Sequence, residues 1–508
     1  MTAARAATLA VALLFAGASA PATRVPVAAS LRVAVNNFPA SLGNPYKGNG
    51  RPGTLIWSAL FDALTQLDDQ GRLVPALATS WELVEPTRWR FTLRSGVRYS
   101  DGKPFDAKSA AAVIEWLISK AGRATVIGNE LRNVTSVQAV APLQLELRTK
   151  EQDPILPKRM VGALMVEPQR WRSLGPDGFA LQPVGTGPYV LERWDPRARR
   201  AYAMLNPLSW RAATFARLEF LELPEAAVRT QALLSNDADL ALVEIEEIDR
   251  LKSRGFTLVV APSMSVMSVA LITERATPGP LQDRRVRQAL NYAIDHETLT
   301  RVLLRGYGAP AGQPAPAIAF GHDPDLKPYA YDPQRARALL AEAGYPHGFH
   351  MIADIQINAF PADSLLYQAM AHYLRQVGVD LTLRLITFPQ YLRNLQRNSF
   401  TGDAFGTAWN SAPYNDATRP METFSCNRPK PFFCDRELAK RLREAASILS
   451  EDERLVAMRA LARDYHDAAP AIFLVEQVDL YAHRPQLVNV HLRNRVPIYE
   501  DIEQGEAQ

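Results

Sequence analysis

The sequence predicts a large α/β protein made of two or three lobes. At 508 residues the chain is longer than one ordinary hydrophobic core can serve. Helical patterns such as the one around Leu339 alternate with strand patterns such as Val379 to Leu385. A segment from about Leu55 to Pro183 is instead rich in strands. Together these features predict an α/β protein that carries an additional strand-rich subdomain.

The N-terminus has the pattern of an export signal. Arg5 precedes an apolar stretch from Ala6 to Ala18, and small residues follow it. This pattern predicts a signal peptide over residues 1–22 that is too short to span a bilayer stably. No cysteine directly follows the stretch, so we expect no lipid anchor and a free protein of the periplasm of a two-membrane bacterium. No later run reaches eighteen apolar residues, so no membrane span is predicted.

The first predicted strand is Leu31 to Val35. After it comes the run from Gly71 to Glu82, GRLVPALATSWE, and then the run that starts at Trp89, WRFTLRSGVRYSDGKPF. Aromatic and aliphatic residues at alternate positions, as at Trp89, Phe91 and Leu93, predict strands. Turn residues at Asp69-Gln70-Gly71 and Asp101-Gly102 bound them.

Three further motifs follow in order. The run GTGPY at 185–189 precedes a predicted strand, and the run DRRVRQALNYAID at 283–295 predicts a helix. A second helix is predicted after Asp332, whose side chain can cap the first N–H groups. Pro333 is tolerated in its first turn, and Gly344 ends it. We expect these motifs to serve packing rather than chemistry.

These runs, in this order, resemble the family 5 extracytoplasmic solute-binding proteins, the peptide/nickel class that feeds ABC importers. The resemblance implies a two-lobed periplasmic-binding-protein fold, with two strands crossing at a hinge near Val266 to Leu271 and Leu474 to Leu480. The predicted divisions are 1–22 for the signal peptide, 23–54 with 184–265 and 477–508 for lobe I, 55–183 for its additional subdomain, and 266–476 for lobe II.

The resemblance also implies which residues face the cleft between the lobes. Trp409 and Phe388 are candidates for apolar walls, although ordinary core packing explains either residue as well. The full set of predicted ligand-binding residues is Asn36, Asn37, Phe38, Leu242, Val243, Glu244, Phe388, Thr407, Trp409, Asn410, Tyr414 and Asp416.

The sequence departs from the family at one cleft position. Peptide receptors of this class resemble one another in having an aspartate three residues after the tryptophan that corresponds to Trp409, where it pairs with the α-amino group of the ligand. Here that residue is Ala412. An unpaired buried charge is costly, so a standard peptide ligand is in doubt unless Asp416 or Glu244 replaces the missing carboxylate.

The two cysteines, Cys426 and Cys434, lie eight residues apart. In an oxidising compartment this spacing favours a disulfide, which would stabilise the protein by roughly 2–3 kcal/mol. A metal site is the alternative, but no histidine lies within this loop and no second cysteine pair could complete four ligands.

The function predicted from these features is a receptor that delivers a small solute, peptide or peptide-like, to an ABC import permease. The net charge of +4 is spread along the chain, so we expect no nucleic-acid partner. We expect a monomer without a cofactor. We also expect that the protein is not an enzyme, because no catalytic motif is present. The alternatives are a nickel or metal-chelate receptor, an oligosaccharide or opine receptor, and, more remotely, a secreted hydrolase. Only eight histidines occur, and none lies in the cleft segments.

Overall fold

The computed structural model describes residues 27–48, 51–357, 359–428 and 430–505. The predicted signal peptide, 1–22, lies outside the described residues. A mixed sheet of eleven strands runs through both lobes of the described chain. In sheet order ten of its strands are Val379–Leu385, Phe349–Ile355, Ala404–Asn410, Thr257–Leu271, Ala471–His483, Leu240–Leu242, Val27–Val35, Phe215–Glu222, Arg200–Leu205 and Tyr189–Asp195; Ala309–Pro310 pairs with Ala471–His483.

Two long strands, which we call the crossing strands, connect the lobes: Thr257–Leu271 and Ala471–His483. They pair antiparallel, and the register is irregular between Pro262 and Val266. On one side of this irregularity the strand Leu240–Leu242 pairs with Ala471–His483 and continues the sheet into the first lobe. On the other side the strand Ala404–Asn410 pairs with Thr257–Leu271 and continues the sheet into the second lobe. The predicted two-lobed α/β fold with two crossing strands is therefore confirmed.

The strand-rich segment between residues 55 and 183 contains a four-stranded antiparallel sheet. The helix Ala107–Ile118 packs on this sheet and begins with a capping box between Asp106 and Ser109. In order, the four strands are Ala78–Glu85, Arg88–Leu93, Gln144–Thr149 and Val134–Ala141.

The predicted helix caps form as expected. The Asp332 side chain accepts a hydrogen bond from the Arg335 amide at the start of Pro333–Glu342, and Gly344 follows that helix with a φ of 94°. The α-helices of the described residues are Arg51–Leu60, Ala107–Ile118, Val126–Glu130, Leu156–Arg159, Pro168–Leu181, Ala226–Leu234, Ile248–Lys252, Arg284–Tyr292, His296–Thr298, Pro333–Glu342, Asp363–Gln376, Phe388–Arg397, Thr418–Thr423, Arg436–Ser447 and Glu451–Ala468. Short strand pairs are Thr65–Leu67 with Leu73–Pro75, Leu487–Val488 with Glu503–Gln504, and Leu492–Arg493 with Val496–Pro497.

The motif at 185–189 is a packing element, as expected. A Cβ atom on Gly185 would lie 2.2 Å from the Leu60 carbonyl oxygen, and one on Gly187 would lie 2.5 Å from that of Ala59. Only glycine allows the backbones to approach this closely.

Cys426 and Cys434 form the predicted disulfide, with their Cα atoms 4.7 Å apart. Among the described residues, no helix is both long and apolar enough to cross a membrane.

Candidate ligand-binding cavity

A cavity of about 200 Å³ lies between the two lobes. The first lobe contributes the helix Arg51–Leu60 and the hairpin Leu492–Pro497, and the second lobe contributes Asn410, Ala412 and Pro413. A solute held here contacts both lobes at once. Its other lining residues include Phe61, Asp62, Gln66, Leu67, Ile127, Val161, Arg211, Ile498 and Glu500.

One wall of the cavity is apolar. Trp57 and Phe61 are nearly fully buried, and Leu67 and Ile127 extend the same surface. The indole Nε1 of Trp57 donates a hydrogen bond to the Leu42 carbonyl oxygen at 2.9 Å, which fixes the ring.

The two carboxylates of the cavity are bound by protein partners. Arg211 Nε lies 3.0 Å from Asp62 Oδ1, and Arg211 Nη1 donates to Glu500 Oε1 at 2.6 Å. Asp62 also accepts hydrogen bonds from the Thr186 hydroxyl at 2.7 Å and from the Trp210 indole at 3.0 Å. Burial alone would raise the pKa of Glu500, but Arg211 and Arg493 lower it overall, so the group is ionised.

The hairpin Leu492–Pro497 carries two further arginines into the cavity. Its turn residues Asn494 and Arg495 have φ values of 48° and 71°. Arg495 pairs with Asp479 on the second crossing strand, and the Tyr481 hydroxyl donates to the Arg495 carbonyl oxygen at 2.9 Å. These contacts hold the hairpin against the strand that joins the lobes.

Arg493 is held more loosely. Its Nη1 donates to Gln66 Oε1 at 3.2 Å and lies 3.5 Å from Glu500 Oε1, and 28% of its side chain is exposed. Among the described residues it has no other polar side-chain partner.

On the opposite side, Asn410 and Ala412 form a tight turn. Asn410 Oδ1 accepts a hydrogen bond from the Ala412 amide at 2.8 Å, and Arg419 Nη1 donates to the Asn410 carbonyl oxygen at 2.9 Å. Ala412 lines the cavity. Position 412 therefore presents a methyl group to the cavity.

Beside the cavity, a carboxylate of the first lobe binds the second lobe. Glu130 accepts hydrogen bonds from the Tyr414 hydroxyl at 2.9 Å and from Arg419 Nε at 3.2 Å. Arg159 of the first lobe donates to the same carboxylate at 3.5 Å. Burial would raise the pKa of Glu130, but Arg419 and Arg159 lower it overall. We call Glu130, Tyr414 and Arg419 the interlobe cluster.

Weaker contacts extend this interface. Arg132 Nη2 donates to Glu422 Oε2 at 2.9 Å, and the Asn415 amide lies 3.4 Å from the Gly71 carbonyl oxygen. A Cβ atom at position 71 would lie 2.0 Å from that amide, so the glycine of the predicted turn allows the lobes to meet.

Of the twelve ligand-binding residues predicted from the sequence, Asn410 lines this cavity and the others do not. Leu242 and Val243 are buried in the core, and Glu244 lies 3.4 Å from Arg229 Nη2. After the first strand, Asn36 and Phe38 are partly buried and Asn37 is exposed.

The aromatic residues predicted as walls lie elsewhere. Trp409 is fully buried in the core of the second lobe, and its ring stacks on Phe424 with the ring centroids 4.2 Å apart. Phe388 is 60% exposed and stacks on Tyr391, whose hydroxyl bonds with Thr407.

Asp416 is not available to a ligand amine. It is fully buried, and Arg454 donates to its two oxygens at 3.0 and 2.7 Å. Tyr414, also buried, belongs to the interlobe cluster instead of the cavity. The cavity also contains charged residues that the sequence did not indicate: Asp62, Arg211, Arg493, Arg495 and Glu500. The one available signal was the pair of arginines around Asn494, a turn former placed between short apolar stretches.

Comparisons with known proteins agree with this architecture. Among curated proteins, the glutathione-binding protein GsiB of Salmonella paratyphi A is 28% identical over 359 residues, which cover 66% of this chain and 65% of that protein. GsiB of Escherichia coli K12 is 26% identical over 353 residues. The alignments thus span just under two thirds of the length of these relatives.

Two solved structures show the same fold. The periplasmic binding protein DppA from Helicobacter pylori, in complex with the peptide STSA, matches with a TM-score of 0.79 and 19% identity, covering 94% of this chain and 98% of that one. NikZ from Campylobacter jejuni, in complex with Ni(L-His), matches with a TM-score of 0.78 and 20% identity, covering 93% and 97%.

Residues 72–431, well over half of the chain, match the family described as bacterial extracellular solute-binding proteins, family 5, middle. With the two lobes, the crossing strands and the cavity between them, this match identifies the chain as a member of the family 5 bacterial extracellular solute-binding proteins.

Proposed function

We propose that this protein is a periplasmic receptor that captures a small solute, peptide or peptide-like, and delivers it to the permease of an ABC importer. The observation that carries the proposal is the cavity between two lobes that are joined by two crossing strands. A site divided between two lobes couples binding to closure, and the closed form is what a permease can recognise. The receptor acts as a monomer and performs no chemistry on its ligand.

The hinge of this receptor lies at the register irregularity between Pro262 and Val266 and at the facing segment Glu476 to Val478. The proposed moving units are residues 23–54, 184–265 and 477–508, together with the subdomain 55–183, against residues 266–476. Exported protein starting near residue 23 would reach the periplasm, where the disulfide can form.

The composition of the cavity favours an organic solute over a metal complex. No histidine or cysteine is among its lining residues in the described chain. The described residues also contain no cluster of three or more His, Cys, Asp or Glu placed to hold a metal ion. Imidazole is the side chain that suits nickel, and an apolar wall with a few charged groups is typical of small-molecule sites.

Native mass spectrometry of protein purified from the periplasm of its own bacterium tests the proposal. We expect a fraction of the protein to carry one small organic molecule that is released on unfolding. Protein that carries no small molecule, and binds none from an extract of the growth medium, would contradict the receptor function.

A further inference from the structure

We infer that the cavity takes a small organic acid with an apolar body, that Arg493 binds its carboxylate, and that the site does not require a free amino group on the ligand. This inference rests on the proposed receptor function and specifies its ligand.

More positively than negatively charged side chains line the cavity. Three guanidiniums line it, those of Arg211, Arg493 and Arg495, against the two carboxylates of Asp62 and Glu500. Arg211 binds both of these carboxylates and also donates to the Ser58 carbonyl oxygen at 2.9 Å. The protein therefore neutralises its own acids before a ligand enters.

Arg495 is also paired, but Arg493 is not fully used. Arg495 binds Asp479 from the crossing strand. Arg493 directs only Nη1 to protein groups, so its Nε and Nη2 have no partner among the described residues. A guanidinium with two free N–H groups is suited to bind a carboxylate through two parallel hydrogen bonds.

The local backbone places Arg493 at the edge of the cavity. Asn494 and Arg495 both adopt left-handed φ values, which are unfavourable for a residue such as arginine. The Asp479 pair and the Tyr481 hydrogen bond hold Arg495 in this conformation. A turn held in this way keeps the backbone of Arg493 beside the cavity, so its side chain can reach a bound ligand.

Among the described residues that line the cavity, a ligand ammonium has no equivalent partner. Asp62 and Glu500 are engaged by Arg211, and position 412 is alanine. A buried ammonium without a carboxylate partner would lose its hydration without compensation. An acylated or otherwise blocked nitrogen avoids this cost, and the rings of Trp57 and Phe61 can cover an apolar body.

The test uses three matched probes: the dipeptide Met-Leu, N-acetyl-Met-Leu, and Met-Leu amide. Their affinities are measured by calorimetry for the wild-type protein, Arg493→Gln, Arg493→Lys and the control Arg254→Gln, an exposed arginine of the first lobe. We expect N-acetyl-Met-Leu to bind at least as tightly as Met-Leu, and the amide to bind at least tenfold more weakly. In Arg493→Gln the difference between acid and amide should disappear, Arg493→Lys should keep part of it, and Arg254→Gln should keep all of it.

A structural role for Arg493 would weaken the acid and the amide alike, which would overturn the inference. It would also be overturned if Met-Leu bound tenfold more tightly than its acetylated form. If none of the probes binds, the molecule that co-purifies with the protein is identified and tested for a carboxylate. A ligand that cannot be esterified, and so has no carboxylate, overturns the inference but leaves the receptor function intact, whereas the absence of any ligand contradicts both. A co-purified acid whose retention is lost in Arg493→Gln supports the inference.

Discussion

Replacing Glu130 by glutamine tests whether the interlobe cluster stabilises the closed form. The substitution keeps the shape of the side chain but removes the charge that accepts hydrogen bonds from Tyr414 and Arg419 of the second lobe. Arg159 belongs to the same lobe as Glu130, so its contact is present in the open and closed forms alike and cancels.

The magnitude follows from the two contacts that opening breaks. A hydrogen bond to a charged group contributes about 1.5–3 kcal/mol and one to a neutral group about 0.5–1.5 kcal/mol, so losing the charge costs about 1 kcal/mol for each bond. The closed form is then destabilised by about 2 kcal/mol. If the ligand-free protein is mostly open, this cost weakens ligand binding roughly 30-fold.

Calorimetry with the co-purified ligand measures this effect. Glu115→Gln, an exposed acid of the same subdomain, is the control and should leave the affinity unchanged. Glu422→Gln removes a pair that is more exposed, so we expect an effect of only a few fold. A Glu130→Gln protein that binds within twofold of wild type would refute the closing role of the cluster.

Three further predictions concern the second lobe. Trp409→Ala should lower the free energy of unfolding by about 3–5 kcal/mol in urea titrations, because it empties a fully buried core position. A loss of stability under 1 kcal/mol together with weakened ligand binding would instead place the ring in the binding site. Asp416→Asn should cost about 3–5 kcal/mol, because it leaves Arg454 buried without its partner. Burial would raise the pKa of Asp416, but Arg454 and Lys158 lower it to about 2, so this one carboxylate should contribute about 2 kcal/mol of stability that is lost as the pH falls from about 4 to 2. Asp416→Asn should not show this loss, and equal acid profiles of the two proteins would contradict the assignment. The unreduced protein should weigh about two daltons less than the dithiol form because of the Cys426–Cys434 bond, and alkylation of both cysteines in denatured, unreduced protein would disprove the bond.

The fold was predictable because its signals are local. Strand Val379–Leu385 and the capped helix Pro333–Glu342 follow directly from residue periodicity and from Asp332 and Gly344. The first crossing strand was predicted to start at Val266, but it starts at Thr257. Pro262 and the serines after it interrupt the apolar pattern where the register is irregular. The residue pattern therefore did not predict the first half of the strand.

The site was less predictable, because its residues are brought together by long-range contacts. Arg211, Arg493 and Asp62 are far apart in the sequence, and nothing local to any of them indicates that they share a cavity. Trp409 and Ala412 are only three residues apart, yet one faces the core and the other faces the cavity. The sequence therefore indicated a segment that borders the candidate cavity, but residue patterns do not show which of its side chains line that cavity.

Small-angle X-ray scattering tests the central claim, that the two lobes close over a solute held between them. The radius of gyration is measured for protein stripped of its ligand by unfolding and refolding with the disulfide intact, and again after saturation with the same ligand. We predict a smaller radius in the bound form, because Asn410 and Ala412 of the second lobe and Arg493 of the first must approach each other to enclose the ligand. Equal radii for the ligand-free and the saturated protein would contradict the claim.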